Sequence, residues 1–344
     1  MKIAITGGAG FLGYHICNYL GDKCDEIRVI DIAPLNTEKY PENTTYFNLD
    51  VRDKTRLLRA LDGVEMIVHG AAALPLWKKR DIFTTNIDGT KNVLEAGLKN
   101  GVKRVVYISS TAVYGVPEKH PIYEDDPLIG VGPYGETKII AERICEEYRN
   151  KGLIVPIIRP KTFIGTGRMG VFQILYDWIE SGKKIPIIGN GKNRYQLLEV
   201  EDLANAIYLT LTLPSEKVND TFNIGAKDYG TVLEDVGTLC KFARNGARVM
   251  TTPARIVKPM LEIAWALRLS PLYKWVYGTA DTDSFVSVEK AEKILGWEPK
   301  YSNAEALIRS YKWYLEHKNE LKAVGITHRV AWKQGILGLI KQLI

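Results

Sequence analysis

The sequence predicts an α/β protein built on a Rossmann-type doubly wound parallel sheet, with a smaller mixed α/β substrate lobe. Three observations carry this. Short apolar runs of strand type alternate with segments of helical spacing from residue 1 to about 158. The first run, Lys2-Ile3-Ala4-Ile5, passes through Thr6-Gly7-Gly8-Ala9-Gly10-Phe11-Leu12-Gly13 directly into helical spacing at Tyr14–Leu20. Past Arg159-Pro160 the alternation loosens into glycine-rich loops and isolated elements.

Taken in order, the glycines come first. Gly7 suits a tight turn, Gly10 lets the backbone approach a diphosphate, and Gly13 lets the helix pack close to the strand, with Phe11 and Leu12 between them. The helix N-terminus presents N–H groups and a positive dipole end to that diphosphate. The second strand, Ile27–Ile30, ends on Asp31. A carboxylate there can accept both ribose hydroxyls of NAD and repels the extra phosphate of NADP, and no arginine follows to welcome that phosphate. A structural turn beside a solvated aspartate is the plainer alternative. The strand before, the helix after and the second strand ending on Asp31 argue against it.

The next strand, 44–49, ends in Asp50 and Val51, a polar and an apolar side chain suited to an adenine edge. Asp53 can cap a helix running to Leu61. Met66-Ile67-Val68 is a buried strand, and the small residues Ala71 and Ala72 behind it leave room for a cofactor. His69 is expected to satisfy a local backbone group rather than to catalyse. Asn86 opens a helix through Lys99 on the cofactor side, Val105–Ile108 is a strand leading to Ser109-Ser110-Thr111, and Tyr134 and Lys138 begin a helix through Arg149. Pro160 closes the following strand beside the cofactor.

Residues 1–160 are therefore expected to form a Rossmann-type domain binding NAD, with later segments near 195–225 returning to it. Residues 161–315 form a substrate lobe in which 253–277 makes two short helices broken at Pro271, and 326–344 is a basic tail.

Tyr134 and Lys138 lie four residues apart and share one helix face. A tyrosine is a poor base at its free pKa near 10, and a nearby ammonium favours the phenolate. Lys138 can also hold ribose hydroxyls. Ser110, at the C-terminal end of a parallel strand, can hydrogen-bond the same substrate oxygen. The predicted chemistry is removal of a proton from an alcohol while hydride leaves its carbon for NAD. A packed tyrosine with a surface lysine is the bland alternative, and the upstream dinucleotide loop speaks against it.

The totals exclude other classes. Hydrophobic residues at 46% and charged residues at 25% are ordinary for a globular protein. The net charge of +6 comes with no long Lys/Arg run, so no nucleic-acid partner is expected. Cys17, Cys24, Cys145 and Cys240 are scattered with no Cys-x-x-Cys, which fits reduced thiols and no metal site. The chain enters a strand at once and has no apolar stretch near the ~20 residues needed to span a bilayer, so a cytoplasmic protein without a signal peptide is expected.

The glycine loop to Gly13, Asp31, Asp50-Val51, His69–Ala72, Ser109–Gly115, Tyr134–Lys138 and Arg159-Pro160 together resemble the extended short-chain dehydrogenase/reductases. Within them the chain is similar to the nucleotide-sugar epimerase/dehydratase group over roughly residues 1–315. The resemblance implies a tightly held NAD, a transient keto-sugar, catalysis by Ser110, Tyr134 and Lys138, and a homodimer packed through helices near 88–99 and 135–148. It implies Ser110 rather than Ser109 as the reacting hydroxyl, with Thr111, Thr162 and Arg194 toward the substrate. The expected reaction is epimerisation of a nucleotide sugar at C4. Dehydration would want an acid/base pair just after Ser110, where Thr111-Ala112 stands. Thr162 replaces an asparagine common in 4-epimerases, and Tyr195 stands where the family places an arginine, with Arg194 one residue earlier. A second diphosphate-binding arginine is absent from 278–289, so Lys192, Arg194, Arg255 or Lys274 would have to substitute. The apolar 253–277 stretch keeps a dehydrogenase or reductase of an apolar alcohol as the alternative. A non-catalytic NAD-binding protein fits poorly with an intact serine, tyrosine and lysine.

The tail from His328 to Ile344 repeats Val330, Ile336, Leu337, Ile340 and Ile344 at helical spacing, joined by Leu339 and Leu343. Arg329, Lys333 and Lys341 are positive, no acid follows Glu320, and Trp332 suits an interface. Two readings stay open: an amphipathic helix on an anionic membrane surface, or a helix docked on its own domain or a dimer partner.

Overall fold

The computed structural model describes residues 1–272, 274–320, 329 and 332–343. The chain forms two compact units that interleave in sequence. The first takes Met1–Lys161, Val200–Gly225 and Val286–Glu298, and the second takes Thr162–Glu199, Ala226–Phe285 and Pro299–Ile344.

The first unit begins with β1 (Lys2–Thr6), α1 (Phe11–Leu20), β2 (Glu26–Asp31), β3 (Thr44–Asn48), α2 (Lys54–Ala60) and β4 (Met66–His69). Asp53 caps α2, its Oδ1 accepting from Arg56 N at 3.1 Å. The next helix starts earlier than the sequence suggested. It opens as α3 (Lys79–Phe83), passes through a π turn at Thr84–Gly89 that contains Asn86, and continues as α4 (Thr90–Lys99). A single π turn inserts one residue into the helical repeat and recurs at functional sites. Then come β5 (Arg104–Ile108), α5 (Gly132–Asn150), which has Pro133 in its first turn, and β6 (Ile157–Pro160).

The chain then enters the second unit with β7 (Thr162–Ile164), α6 (Val171–Glu180), β8 (Lys184–Ile188) and β9 (Leu197–Glu199). It returns to the first with α7 (Val200–Thr212), α8 (Ser215–Val218) and β10 (Thr221–Ile224). The second unit resumes with α9 (Val232–Ala243), β11 (Arg248–Thr252), α10 (Ala254–Ala266) and α11 (Lys274–Gly278). A last return to the first unit is α12 (Glu289–Leu295), before α13 (Asn303–His317) and α14 (Ile336–Leu343) complete the second.

In the first unit seven strands, all parallel, run in the order β10-β6-β5-β4-β1-β2-β3. Ile3, Ile5, Val29, Val68, Val106 and Ile158 are at most 1% exposed, as expected for strands covered on both faces. The order reverses between β1 and β4, and the crevice outside the strand ends at such a switch point is where open α/β sheets hold ligands.

Two boundaries differ from the sequence expectation. The return begins at Val200 rather than near 195, because 197–199 pairs as β9 with β7 inside the second unit. Val286–Glu298, expected in the substrate lobe, belongs to the first unit. Its anchor is Trp297, fully buried, whose Nε1 donates to the Asp202 carbonyl at 3.0 Å. A large apolar ring with one satisfied N–H outweighs sequence distance.

The second unit holds two short parallel pairs, β8 with β11 and β7 with β9. Capping boxes start two of its helices, Thr231 with Glu234 on α9 and Ser302 with Glu305 on α13. The break after α10 comes at Leu267 and Arg268 (φ +57°), before Pro271. The tail docks here. Trp332 is buried beside Gly170, and Gln334 accepts from Trp178 Nε1 at 3.0 Å and donates to Asp177 at 2.6 Å. Lys341 reaches the same carboxylate at 2.5 Å. Of the tail residues singled out above, His328, Val330 and Ile344 lie outside the described residues. Among the described residues no helix is long and apolar enough to cross a membrane.

Trp297→Ala should lower stability by about 3–5 kcal/mol, the usual cost of emptying a buried tryptophan site. Urea unfolding of the full chain measures it, and a loss below about 1 kcal/mol would show that Val286–Glu298 is not anchored through this ring.

Candidate active site

The glycine turn is built by close approach. Gly7 has φ +73°, its N donates to Ile30 O at 2.8 Å, and a Cβ there would lie 2.8 Å from Ala71 N. The turn is thus pressed against the segment after β4, and only glycine fits. Gly10 is the N-cap residue of α1 with no side-chain cap, Gly13 backs onto Gly8, and Phe11 is buried one turn ahead of His15. A helix start left uncapped by side chains, at a sheet switch point, suits an anion.

Asp31 pins this turn. Its Oδ2 accepts from Ala9 N and its Oδ1 from Ala33 N, each at 2.9 Å. The carboxylate is thereby held at the end of β2 beside the glycine turn. Asp50 is occupied differently: Arg52 donates to it at 2.6 Å and holds its carboxyl below the usual range. Val51 is buried beside Gly89.

Ala71 and Ala72 are half-buried, and the His69 ring behind them bonds Thr6 Oγ1 at 2.7 Å and Thr90 Oγ1 at 3.0 Å. The hydroxyl of Thr90 gives its one proton to Asn86 O at 2.7 Å, so Nε2 of His69 must be the donor to Thr90 and Nδ1 accepts from Thr6. The imidazole is a structural strut, and its partners are side-chain hydroxyls rather than the backbone group anticipated. Asn86 is spent on the same wall. Its Oδ1 accepts from Ala73 N at 2.8 Å, and its Nδ2 donates to Ala73 O at 3.3 Å and Thr137 Oγ1 at 3.0 Å. With its amide committed, it ties the Ala71–Ala73 segment to α5.

The two serines after β5 separate. Ser109 is buried and its Oγ donates to Glu142. Ser110 stays half-buried, caps the turn over Thr111–Tyr114 and accepts from Ala112 N at 3.2 Å. That turn touches the start of α5, where a Cβ on Gly135 would come 2.8 Å from Ala112 O. Tyr134 is half-buried beside it, and Thr111 Oγ1 reaches Pro160 O at 3.4 Å. Lys138 is 3% exposed, donates to Ile108 O at 2.8 Å, and lies 4.9 Å from the Tyr107 ring centroid and 5.8 Å from that of Tyr134. Burial pulls its pKa down to about 8, against the opposing pull of Glu142.

Sequence reasoning missed what stands behind Lys138. Arg159 grips Glu142 through Nε (3.0 Å) and Nη2 (2.6 Å), and both side chains are buried. Arg159 Nη1 also donates to Tyr114 Oη at 2.7 Å and Glu124 O at 2.9 Å, and Tyr114 Oη donates to Asn223 Oδ1 at 2.7 Å. An acid four residues after Lys138 on a helix face otherwise buried was the available signal.

Thr162 and Arg194 lie in the second unit. Thr162 Oγ1 is 3.2 Å from Tyr195 Oη. Arg194 gives its backbone N to Asp283 at 2.8 Å, and its guanidinium lies over the Tyr229 (4.8 Å) and Phe285 (5.2 Å) rings. Among the described residues no cluster of His, Cys, Asp or Glu is placed to hold a metal.

Residues 3–225 match the family model described as "NAD dependent epimerase/dehydratase family". The chain is 35% identical over 342 residues to the uncharacterized protein y4nG of Sinorhizobium fredii, covering 98% of this chain and 84% of that one. It is 27% identical to a UDP-glucose 4-epimerase of Halalkalibacterium halodurans, covering 92% and 96%. Its fold matches the crystal structure of a UDP-glucose 4-epimerase from Thermotoga maritima with UDP-glucose, at 25% identity and TM-score 0.77, covering 92% and 100%.

Burial, then the positive charge of Lys138, lowers the His69 pKa from 6.5 to about 3, so the folded protein holds this ring neutral. Below pH 6.5 the unfolded chain takes a proton that the fold refuses, and stability present above that pH is lost as pH falls toward 3. Between about pH 7 and about pH 5 the site should forfeit ~2 kcal/mol. In His69→Gln, which keeps the donor and acceptor without the titration, the acid-induced drop in urea stability should shrink by that amount. An equal drop in both proteins would count against a neutral buried ring.

Proposed function

The chain belongs to the NAD dependent epimerase/dehydratase family and uses NAD, and from that premise we propose that it is a nucleotide-sugar epimerase acting at C4 through a transient 4-keto sugar. The observation that carries the reading is the packing of the Ser110 turn against the Tyr134 turn at Ala112 and Gly135, with the Lys138 ammonium buried behind. The likeness to UDP-glucose 4-epimerases supports a nucleotide sugar as substrate.

The Gly7 turn, the uncapped start of α1, Asp31, Ala71, Ala72, Pro160 and Lys138 would hold NAD. Bound there, it supplies a hydride acceptor for the carbinol carbon. Tyr134 Oη takes the proton of the sugar hydroxyl, and Ser110 Oγ hydrogen-bonds the same oxygen. Lys138, charged at neutral pH with its Nζ 5.8 Å from the Tyr134 ring centroid, favours the phenolate. Its Nζ donates to the Ile108 carbonyl at 2.8 Å, and the nearby charge of Glu142 favours its protonated form. Thr111 and Thr162 would contact the sugar, and Arg194 the diphosphate. A second reading, oxidation of an apolar alcohol, draws on the acids that stand where a diphosphate-binding arginine is expected. Asp281 pairs with Lys258, and Asp283 takes the Arg194 amide.

Incubation with a panel of UDP-sugars followed by NMR separates the two. Epimerisation yields the C4 epimer without net accumulation of NADH, whereas dehydrogenation accumulates NADH and no epimer. Tyr134→Phe should cut kcat by roughly 10²-fold or more with NAD still bound, the usual scale for a positioned acid/base. Near-normal turnover in that variant would remove Tyr134 from the role.

Asp31→Ala should weaken NAD and narrow its preference over NADP, because the variant loses both the ribose acceptors and the repulsion of the 2′-phosphate. Titration of the unmodified protein with both dinucleotides provides the control, and tighter binding of NADP would contradict the assignment.

A further inference from the structure

α10 carries two apolar faces. Its inner face packs through Leu261 and Ala264, each 8% exposed. Its outer face repeats Ile256, Met260, Ile263 and Leu267 at 59%, 62%, 61% and 64% exposure. Steps of four, three and four residues place these four side chains within an arc of about 60°. On an ordinary surface helix that side is polar. The line continues at Leu269, 48% exposed, and there it meets the tail, since Leu269 O accepts from Ile336 N at 2.8 Å at the start of α14. α14 turns Leu337 inward and leaves Leu339 and Leu343, four residues apart, at 64% and 83% exposure. A run of exposed large apolar side chains on two joined helices marks an interaction surface.

Most of the charges around it are positive. Arg255, Arg268, Lys274 and Lys333 are exposed. In residues 253–274 the sole acid is Glu262, 3.8 Å from Lys274, and residues 329–344 contain none. We propose that the outer face of α10, continued by Leu339 and Leu343 of α14, seats this protein on an anionic lipid bilayer, the apolar stripe entering the interface and the basic side chains meeting the headgroups. The charge pattern favours lipid over a second copy, because a two-fold contact through this face would bring the same cations of both copies together. The docked tail is thereby part of the membrane face without being a free anchor, which joins the two readings its sequence left open.

The test uses the full-length protein and flotation with vesicles of phosphatidylcholine alone or an equal mixture of phosphatidylcholine and phosphatidylglycerol. Binding to the mixed vesicles, weak binding to the neutral ones and loss in high salt are expected. Met260→Glu with Ile263→Glu should lower partitioning about 100-fold or more, and Lys274→Glu with Lys333→Glu about tenfold or more. All four positions are exposed, and unchanged circular dichroism and NAD titration confirm that the variants fold. Equal binding of the wild type and both variants would overturn the proposal. So would failure of the wild type to float with the mixed vesicles, whether sedimentation then shows a dimer that Met260→Glu with Ile263→Glu dissociates or a species that ignores lipid and itself alike.

Discussion

Arg159 and Glu142 are charged groups held out of water on one face of the seven-stranded sheet, and the candidate site is arranged around their pairing. Burial works against the Arg159 charge, and Glu142 and then Tyr114 more than offset it, leaving the guanidinium pKa above its ordinary value. Such a pair adds little net stability, but each member becomes costly once the other is gone. What the pair supplies is position. It joins β6 to α5, receives Ser109 from the end of β5, and through Tyr114 and Asn223 reaches β10. Ser110, Tyr134 and Lys138 sit one residue, two turns and one turn from members of this network. The same carboxylate keeps some charge on the desolvated Lys138.

The cofactor side is organised by the opposite device, side chains already spent. Asn86 and Asp50, expected from the sequence to lie along the cofactor, and His69 have polar atoms engaged within the protein. Asp31 is also engaged, accepting from Ala9 N and Ala33 N at the end of β2. The surface proposed to hold NAD is thus mostly backbone and small residues, with the Asp31 carboxylate at the end of β2. A wall that does not need to reorganise on binding wastes little of the binding energy.

The parts legible in the sequence are those whose chemistry is local. The glycine turn with its strand and helix, the position of Asp31, and the four-residue spacing of Tyr134 and Lys138 all lie within one or two turns of chain. Ser110 could be told from Ser109 through the resemblance, and the structure shows the physical difference, one hydroxyl turned to Glu142 and the other left half-buried. What escaped were properties set by distant packing. The π turn at Thr84–Gly89 adds a residue that apolar periodicity does not register. Val286–Glu298 looked like part of the second lobe until the Trp297 ring was seen beside Asp202. β8 and β11 are pairs of segments about sixty residues apart, and neither alternates strongly enough to announce itself. In α10 the sequence showed apolar content but not that half of it faces outward.

The late return of Val286–Glu298 has a consequence for the order of assembly. Strands β1 to β6 leave the ribosome first, and in most multidomain chains such a unit folds as soon as it emerges. Here the surface around Asp202 stays uncovered until Trp297 has been synthesised, after most of the second unit. The first unit therefore spends that interval with an open apolar notch, and the second unit matures as an insertion in a fold still being closed. Completion of the first unit is tied to translation of a segment far downstream, so a chain stalled before residue 297 would hold the glycine turn and Tyr134 without the ring that packs at Asp202.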